Sequence, residues 1–420
     1  MKAVIVDPAL HSRGGHHYNA VERLQAELTR LGAEAVCLGS RSADTTTRTL
    51  LGCRPVFTNS VYGRRHFADD VATTERELAQ ALPHGDLLIL PCCDAVLALA
   101  LARHLRTRRA YDRPRVILWL LYAPDCSDQP DNAQSLVDLA ETAQVRILCE
   151  TEAMAEAWRG LLPTPLAATI EIAAGPGLPA RPRPPGRKSA VPLVSCIGFA
   201  NRAKGYRLLP DAVSLVLGQH ADVRFLVHGI VRGSDAPDEQ PVFDRLSTLG
   251  SRVDVRQHVL STAEYLGILA TSDLLMLPYD PEVYRVRGSG IFTDARRVGV
   301  PIVAPAACAF AAPAFADGSA VALDSWDPQG LARAILAALD RRQALAASAD
   351  AAARQLDDTL GRILADGLVP SGGPSGPGVS LKQILARFRL GLDAPTKHKP
   401  GIVRRRSEND GRAPTLSSKG

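Results

Sequence analysis

Two histidines and an asparagine follow a glycine pair near the start of the chain, in the segment DPALHSRGGHHYNAVERL. Gly14 and Gly15 come after an apolar run and open an amphipathic segment. Glycine lets the backbone approach a ligand closely there, and the N–H groups of a helix start favour an anion. His16, His17 and Asn19 lie on the first helical turn, so some of them should face a cleft. The spacing is not that of a dinucleotide-binding loop, and a plain turn with surface histidines is the alternative.

Lys204 is unusual because only seven of the 49 basic residues are lysines, and none lies between it and Lys188 or Lys382. In SCIGFANRAKGYRLL it follows a strand-like run and begins a predicted helix. A lysine ammonium above the C-terminal edge of a sheet is well placed to neutralise a phosphate. Arg202 is a second candidate for the same anion, or a surface residue.

A third group of candidates lies in DLLMLPYDPEVYRVRGSGIFTDARRVGVPIVAP. Ser289 is a good N-cap residue, and Gly290 and Ile291 would offer backbone N–H groups to a diphosphate. Asp294, on the second turn of the predicted helix, could accept hydrogen bonds from two ribose hydroxyl groups, and Arg287 could pair with phosphate. A capped helix with solvated charges is the alternative.

These candidates depend on elements that alternate along the chain. Short β-branched or leucine-rich runs alternate with longer amphipathic segments on both sides of a Pro-, Gly- and Arg-rich linker at 174–191. Such alternation is typical of βαβ units in a parallel sheet. We therefore predict an α/β protein in which two Rossmann-like doubly wound parallel-sheet domains, at 1–173 and 192–368, face a cleft. A flexible basic tail is predicted at 369–420.

The net charge of +5 in 420 residues belongs to that tail, because residues 378–420 hold ten basic and three acidic residues, a net +7 that leaves −2 elsewhere. A near-neutral body argues against a nucleic-acid-binding protein. The eight cysteines include no C-x-x-C pair and several end strand-like runs, as buried thiols in a reducing cytoplasm do. With no signal peptide or membrane span predicted, we expect a cytoplasmic protein. Peripheral contact between the tail and the cytoplasmic face of a membrane stays open.

The second half resembles the donor-binding domain of family-4 (group 1) retaining glycosyltransferases of the GT-B fold. IGFANRAKGYRLL resembles the family's G…KG…L segment, and FLVHG resembles its strand ending in glycine. LLMLPYDPEVYRVRGSGIFTDARRVGVPIVAP resembles the Glu-x7-Glu region, which ends in a Gly-x-Pro strand. The first half resembles the acceptor domain more loosely, so the resemblance covers about residues 1–345.

This resemblance implies a hexosyltransferase-type enzyme that needs no metal and no cofactor. It would move a sugar from a nucleotide-diphosphate sugar to an acceptor hydroxyl with retention of configuration. Lys204 would bind the diphosphate, residues 289–291 would cradle its distal phosphate, and Asp294 would stand for the second Glu, which binds the ribose. Gly14 and Gly15 would lie near the transferred sugar. The implied acceptor is a polysaccharide or a lipid-linked glycan.

Three positions depart from the family pattern. Val286 stands where the first Glu is expected, and Phe199 stands where a basic residue often follows the strand-ending glycine. Asp125, in LYAPDCSD, is the candidate substitute for the acceptor-domain histidine. The alternatives to a transferase are a catalytically impaired GT-B binding or scaffold protein and a nucleotide-sugar epimerase on the same fold. The predicted site comprises catalytic Lys204, Asp125 and His16; donor-binding Gly14, Gly15, Arg202, Lys204, Arg287, Ser289, Gly290, Ile291 and Asp294; and acceptor-side His17 and Asn19.

Overall fold

The structure is a computed structural model, and it describes residues 1–13, 15–60, 66–120, 122–124, 132–177, 190–231, 236–356 and 359–369. Gly14, Asp125, most of the predicted linker and nearly all of the predicted tail lie outside these ranges. The seven cysteines of the described part are free and buried, as predicted. No helix in the described part is both long and apolar enough to cross a membrane.

The first sheet has seven strands in the order β3-β2-β1-β4-β5-β6-β7, and every pairing is parallel. Its strands are β1 (Lys2–Asp7), β2 (Glu34–Ser40), β3 (Arg54–Phe57), β4 (Leu87–Cys93), β5 (Arg115–Leu120), β6 (Val145–Cys149) and β7 (Ile170–Ile172). The helices between them are α1 (His16–Arg30), α2 (Thr45–Leu51), α3 (Phe67–Ala81), α4 (Ala95–Arg106), α5 (Asn132–Ala140), α6 (Glu152–Arg159) and α7 (Thr164–Ala167). Helices cover the sheet, so β4 is buried throughout and β1 is buried from Ala3 to Asp7.

The second sheet has six parallel strands in the order β10-β9-β8-β11-β12-β13. Its strands are β8 (Leu193–Cys196), β9 (Arg224–His228), β10 (Val253–Arg256), β11 (Leu274–Met276), β12 (Ile302–Pro305) and β13 (Ala320–Leu323). Its helices are α8 (Leu209–Gln219), α9 (Ala236–Ser247), α10 (Thr262–Thr271), α11 (Gly290–Val298), α12 (Ala312–Ala316), α13 (Pro328–Asp340) and α14 (Arg342–Gln355).

The order of strands reverses at β1 in the first sheet and at β8 in the second. Ligands of open parallel sheets bind at such switch points, outside the carboxyl ends of the strands. The loop after β1 leads to His16 and His17, and the loop after β8 leads to Lys204. The topology therefore puts two of the three predicted groups at the two switch points.

The last described helix is α15 (Thr359–Leu368). It packs on the first domain, although residues 192–368 were predicted to form the second. Ile363 and Leu364 are buried with Leu87 and Ile117, which belong to the first sheet. The helix contacts α1 and β5 as well. The chain thus returns to the first domain after α14, although the other domain boundaries stay predictions.

Candidate active site

Lys204 lies on a short 3-10 turn, Arg202–Lys204, rather than at the start of an α-helix as predicted. The side chain of Asn201 caps this turn by accepting a hydrogen bond from the Lys204 N–H at 3.0 Å. Gly205 ends it with φ of +69°, and a Cβ there would overlap the Pro278 carbonyl oxygen after β11. Only glycine fits this conformation and this contact, so the turn is held tightly against the neighbouring strand.

The Lys204 ammonium and the side chain of Ile291, at the start of α11, lie side by side next to Gly198. A Cβ added to Gly198 would lie 3.2 Å from Lys204 Nζ and 2.8 Å from Ile291 Cδ1, so both side chains border the same spot. The ammonium also lies 5.7 Å from the ring centroid of Tyr279. Burial lowers the pKa of Lys204 to about 8, although the nearby Cys196 thiol opposes the shift. A half-buried cation with little compensation suits an anionic ligand.

The N-terminus of α11 is open, as an anion site requires. Ser289 Oγ accepts a hydrogen bond from the Phe292 N–H at 3.3 Å and caps the helix as predicted. A Cβ on Gly290 would meet no atom within 4 Å, so there is room beside the first helical residue. Arg287, just before the cap, lies with its guanidinium 5.7 Å from the ring centroid of Tyr122 in the first domain. Arg202 is exposed on the turn that carries Lys204.

Asp294 lies in a buried polar cluster that the sequence did not indicate. Its side chain accepts a hydrogen bond from Tyr265 Oη at 3.1 Å and lies 3.6 Å from Arg297 Nη1. Arg297 Nη2 also donates to the Gly175 carbonyl oxygen at 3.2 Å. A Cβ on Gly177 would lie 2.8 Å from the Asp294 carboxylate. The segment that connects the domains therefore covers Asp294, which is only 7% exposed, and its role as a ribose ligand stays a prediction.

In the first domain, Asp7 and His17 form a pair that sequence reasoning recognised only in part. Asp7 ends β1, is fully buried, and accepts a hydrogen bond from the Ala9 N–H at 3.0 Å. His17 Nδ1 lies 2.8 Å from Asp7 Oδ2. Burial alone would raise the pKa of Asp7, but the attraction and hydrogen bond to His17 outweigh it and lower the pKa. The carboxylate therefore holds the His17 ring with its Nδ1 proton toward β1.

His16 stacks on His17 with ring centroids 4.0 Å apart. Burial lowers the pKa of His16 to about 3, and the charges of His17 and Lys204 act in the same direction against Asp7. His16 is nevertheless an exposed residue. With this lowered pKa it is neutral at pH 7, and it is suited to hydrogen bonding rather than to proton abstraction.

The electrostatic coupling between His16 and Lys204 brings the first and second predicted groups to the same region. Gly15 precedes α1 with φ of +104°, and among the described residues no side chain caps this helix. The side-chain oxygen of Asn19 is buried and has no hydrogen-bond partner within the described residues. In the same part of the chain, no three His, Cys, Asp or Glu side chains are grouped as metal ligands would be.

Sequence reasoning also missed Glu150, which follows β6 directly. Its carboxylate accepts a hydrogen bond from the Gly175 N–H, and it reaches the loop before α11, because a Cβ on Gly288 would overlap it. Burial raises the pKa of Glu150, and the charge of Asp294 adds to this effect against that of Arg297. Only its place at the carboxyl end of a strand could have suggested a role.

Comparison with known proteins gives a family match for the second domain and a fold match for most of the chain. The family model described as "Glycosyl transferases group 1" matches residues 191–341, which include Lys204, Ser289 and Asp294. No curated protein matches the chain. The structure of Anabaena HepE in complex with UDP and glucose is similar, with a TM-score of 0.63 at 18% identity over 88% of this chain and 99% of that one.

Two further solved structures show the same fold. Sucrose-phosphate synthase from Thermosynechococcus elongatus has a TM-score of 0.62 at 12% identity, over 87% of this chain and 98% of that one. UDP-GlcNAc 2-epimerase from Neisseria meningitidis, bound to UDP-GlcNAc, has a TM-score of 0.59 at 10% identity, over 88% and 99%. The predicted fold is thereby confirmed: two Rossmann-like α/β domains of the GT-B type, of which the second carries the group 1 glycosyltransferase pattern.

Proposed function

We propose that this chain transfers a sugar, of the hexose type, from a nucleotide-diphosphate sugar to an acceptor hydroxyl group. The observation that carries the proposal is the convergence of the Lys204 ammonium and the open N-terminus of α11 beside Gly198. A half-buried cation next to the N–H groups of a helix start is what a diphosphate needs. The match of residues 191–341 to a glycosyltransferase family, and the UDP and glucose bound by HepE, support the same ligand class.

The reaction needs positioning and charge stabilisation more than covalent chemistry from the protein. The bond from the anomeric carbon to the distal phosphate oxygen breaks, and negative charge grows on that oxygen. Lys204 and the N–H groups of Gly290 and Ile291 stabilise this charge, and no metal ion is needed for that purpose. The acceptor oxygen attacks from the face that the diphosphate leaves, its proton passes to the departing diphosphate, and the configuration is retained. His16, being neutral, serves as a hydrogen-bonding group.

The acceptor that we propose is a growing polysaccharide or a lipid-linked glycan, met at the cytoplasmic face of a membrane. This part rests on the resemblance described above and on the basic tail, whose net +7 would favour an anionic surface. Its test is transfer of labelled sugar to isolated lipid and polysaccharide fractions, with and without residues 370–420. If the shortened chain labels both fractions as strongly as the full chain does, a role for the tail is contradicted.

The central test is a screen of UDP-, GDP- and ADP-sugars for thermal stabilisation, followed by a transfer assay with the sugar nucleotide that binds best. A ligand that binds only the native state raises Tm with its affinity and concentration. Lys204→Met should weaken binding and reduce transfer. Lys2→Met is the matched control, because Lys2 is a partly exposed lysine with a long surface ion pair to Glu34.

Two outcomes would replace the proposal with another. Conversion of the donor to an epimer without any acceptor would indicate an epimerase, the activity in the name of the Neisseria protein. Tight binding of a sugar nucleotide with neither transfer nor epimerisation, over a broad set of acceptors, would indicate a binding or scaffold protein. Release of free nucleoside diphosphate that requires an acceptor supports the transferase.

A further inference from the structure

Glu150 carries a carboxylate from the first domain to the loop that leads into α11. A Cβ on Gly288 would overlap Glu150 Oε2 and would lie 2.7 Å from Glu150 Cβ, so the side chain presses directly on this glycine. The next residue, Thr151, donates a hydrogen bond from Oγ1 to the Val286 carbonyl oxygen at 2.6 Å. The end of β6 is thus docked on the loop, and the carboxylate lies between Gly288 of this loop and Gly175 of the connecting segment.

The hydrogen-bonding capacity of the Glu150 carboxylate is only partly used. One oxygen lies against Gly175, whose N–H donates to the carboxylate. Arg297 is near enough to act on it electrostatically, but so is the carboxylate of Asp294, and burial disfavours its charge. The residue is nevertheless only half-buried and keeps accessible surface. A carboxylate held in this way has remaining capacity to accept hydrogen bonds from a ligand.

The position of Glu150 relative to the proposed donor indicates that it would contact the sugar. The distal phosphate would lie on the N–H groups of Gly290 and Ile291, two and three residues after Gly288, where the structure leaves open space. The transferred sugar is bonded to that phosphate, so its ring must lie in the adjoining volume. A carboxylate at the edge of this volume matches vicinal hydroxyl groups, and it repels a second carboxylate.

Resting on the proposed function, we propose that Glu150 accepts hydrogen bonds from hydroxyl groups of the donor sugar. It thereby makes the site specific for neutral sugars over uronic acids. Glu150 would be a sugar-binding and specificity-determining residue supplied by the first domain. It would have no part in holding the nucleoside or the diphosphate.

The test compares Glu150→Gln with wild type in three measurements: Kd for UDP, kcat/KM with UDP-glucose and kcat/KM with UDP-glucuronate. If the screen selects another nucleotide, its hexose and hexuronate derivatives replace these. We expect UDP binding to change less than about twofold and kcat/KM for the hexose donor to fall about 10- to 100-fold. The ratio of hexuronate to hexose turnover should rise at least about tenfold, since the repulsion is removed.

Two control variants separate sugar binding from support of the loop. Thr151→Val removes the hydrogen bond to Val286 and the side-chain cap of α6 but keeps the carboxylate, so an effect of loop or local packing should weaken UDP and UDP-glucose equally. Glu152→Gln removes an exposed neighbouring carboxylate that pairs with Arg159, and it should change none of the three measurements.

The proposal is overturned if Glu150→Gln weakens UDP binding as much as it weakens UDP-glucose turnover, or if it leaves the hexuronate-to-hexose ratio unchanged. Failure of the proposed function would look different, because the wild-type protein itself would then bind no sugar nucleotide or transfer no sugar.

Discussion

Replacing Lys204 with methionine should stabilise the ligand-free protein while it weakens nucleotide binding. Burial lowers the pKa of Lys204 from 10.5 to about 8. Because the folded pKa lies below the unfolded value, the folded protein binds this proton less tightly than the unfolded chain does. The charged lysine therefore costs stability at every pH below about 8. This cost disappears as the pH rises from about 8 to 10.5, where the unfolded lysine also becomes neutral.

The magnitude follows from the two pKa values. Their difference corresponds to about 3 kcal/mol, at about 1.36 kcal/mol for each pH unit. Water reaches the half-buried side chain and screens part of this penalty, so we expect Lys204→Met to raise the free energy of unfolding by about 1–3 kcal/mol at pH 7. For a domain of this size, each kcal/mol raises Tm by about 2–4 °C. Loss of the charge-assisted contact should weaken UDP binding by about 10- to 100-fold.

Urea unfolding at about pH 7 and about pH 10.5, together with calorimetric titration of UDP, checks both halves of this reasoning. The stability gain of the variant should be present at the lower pH and absent at the higher one. Lys2→Met should behave as wild type in both assays, because an exposed ion pair contributes little. A variant that is less stable than wild type at pH 7, or that binds UDP as tightly, would refute the assignment of Lys204 as a diphosphate ligand held under desolvation.

Three other measurements test separate parts of the structure. UDP affinity of the wild-type protein should fall as the pH rises through about 8, and Lys204→Arg should remove this dependence because arginine stays charged; titrations from about pH 6.5 to about 9.5 decide it. Gly205→Ala should lower the free energy of unfolding by about 3 kcal/mol or more, whereas Gly218→Ala, with open space around it, should not; urea unfolding compares them. Leu364→Ala should lower the free energy of unfolding by about 2–5 kcal/mol and should speed hydrogen exchange in β5 more than in α13. Equal acceleration of exchange in both elements would contradict the packing of α15 on the first domain.

The alternation of apolar runs and amphipathic segments was sufficient to predict the two parallel sheets. Long elements carry a clear signal, because α1 has helical periodicity and β4 is a continuous apolar run. Three strands were missed: β3, β7 and β13, of four, three and four residues. β3 also contains Pro55, which is unusual inside a strand. Length alone does not explain the misses, because β11 has only three residues and lies in the run DLLMLPY, which predicts a strand.

Two helices were predicted with the wrong extent for identifiable reasons. The helix expected from Lys204 begins only at Leu209, because Gly205 adopts a left-handed conformation and Pro210 suits the first turn of a helix rather than its interior. The amphipathic pattern over 344–366 predicts one helix, but the structure has two there, α14 and α15. An amphipathic pattern states that a helix buries one face, but it does not state against which domain.

The predicted site shows the same difference between features set by one element and features set by tertiary contacts. Ser289 and Gly290 belong to one element, the capped start of α11, and a sequence motif describes that geometry well. Asp294 lies on the same helix, yet its surroundings depend on Tyr265 from α10 and on the connecting segment at Gly177, both distant in sequence. A motif therefore indicated the capped helix start, whereas the partners of the carboxylate required the tertiary structure.

The difference between motif and tertiary structure matters most at Val286, which stands where the first motif Glu is expected. The absence of a carboxylate at this motif position, taken alone, favours a protein that binds sugar nucleotides without turning them over. In the folded chain, however, Thr151 donates a hydrogen bond to the Val286 backbone, and Glu150 brings a carboxylate against the same loop from the other domain. A charge missing from one element can thus be supplied by another that packs on it. The valine is for this reason weak evidence against catalysis, and the transfer assay on the wild-type protein decides between a transferase and a binding protein.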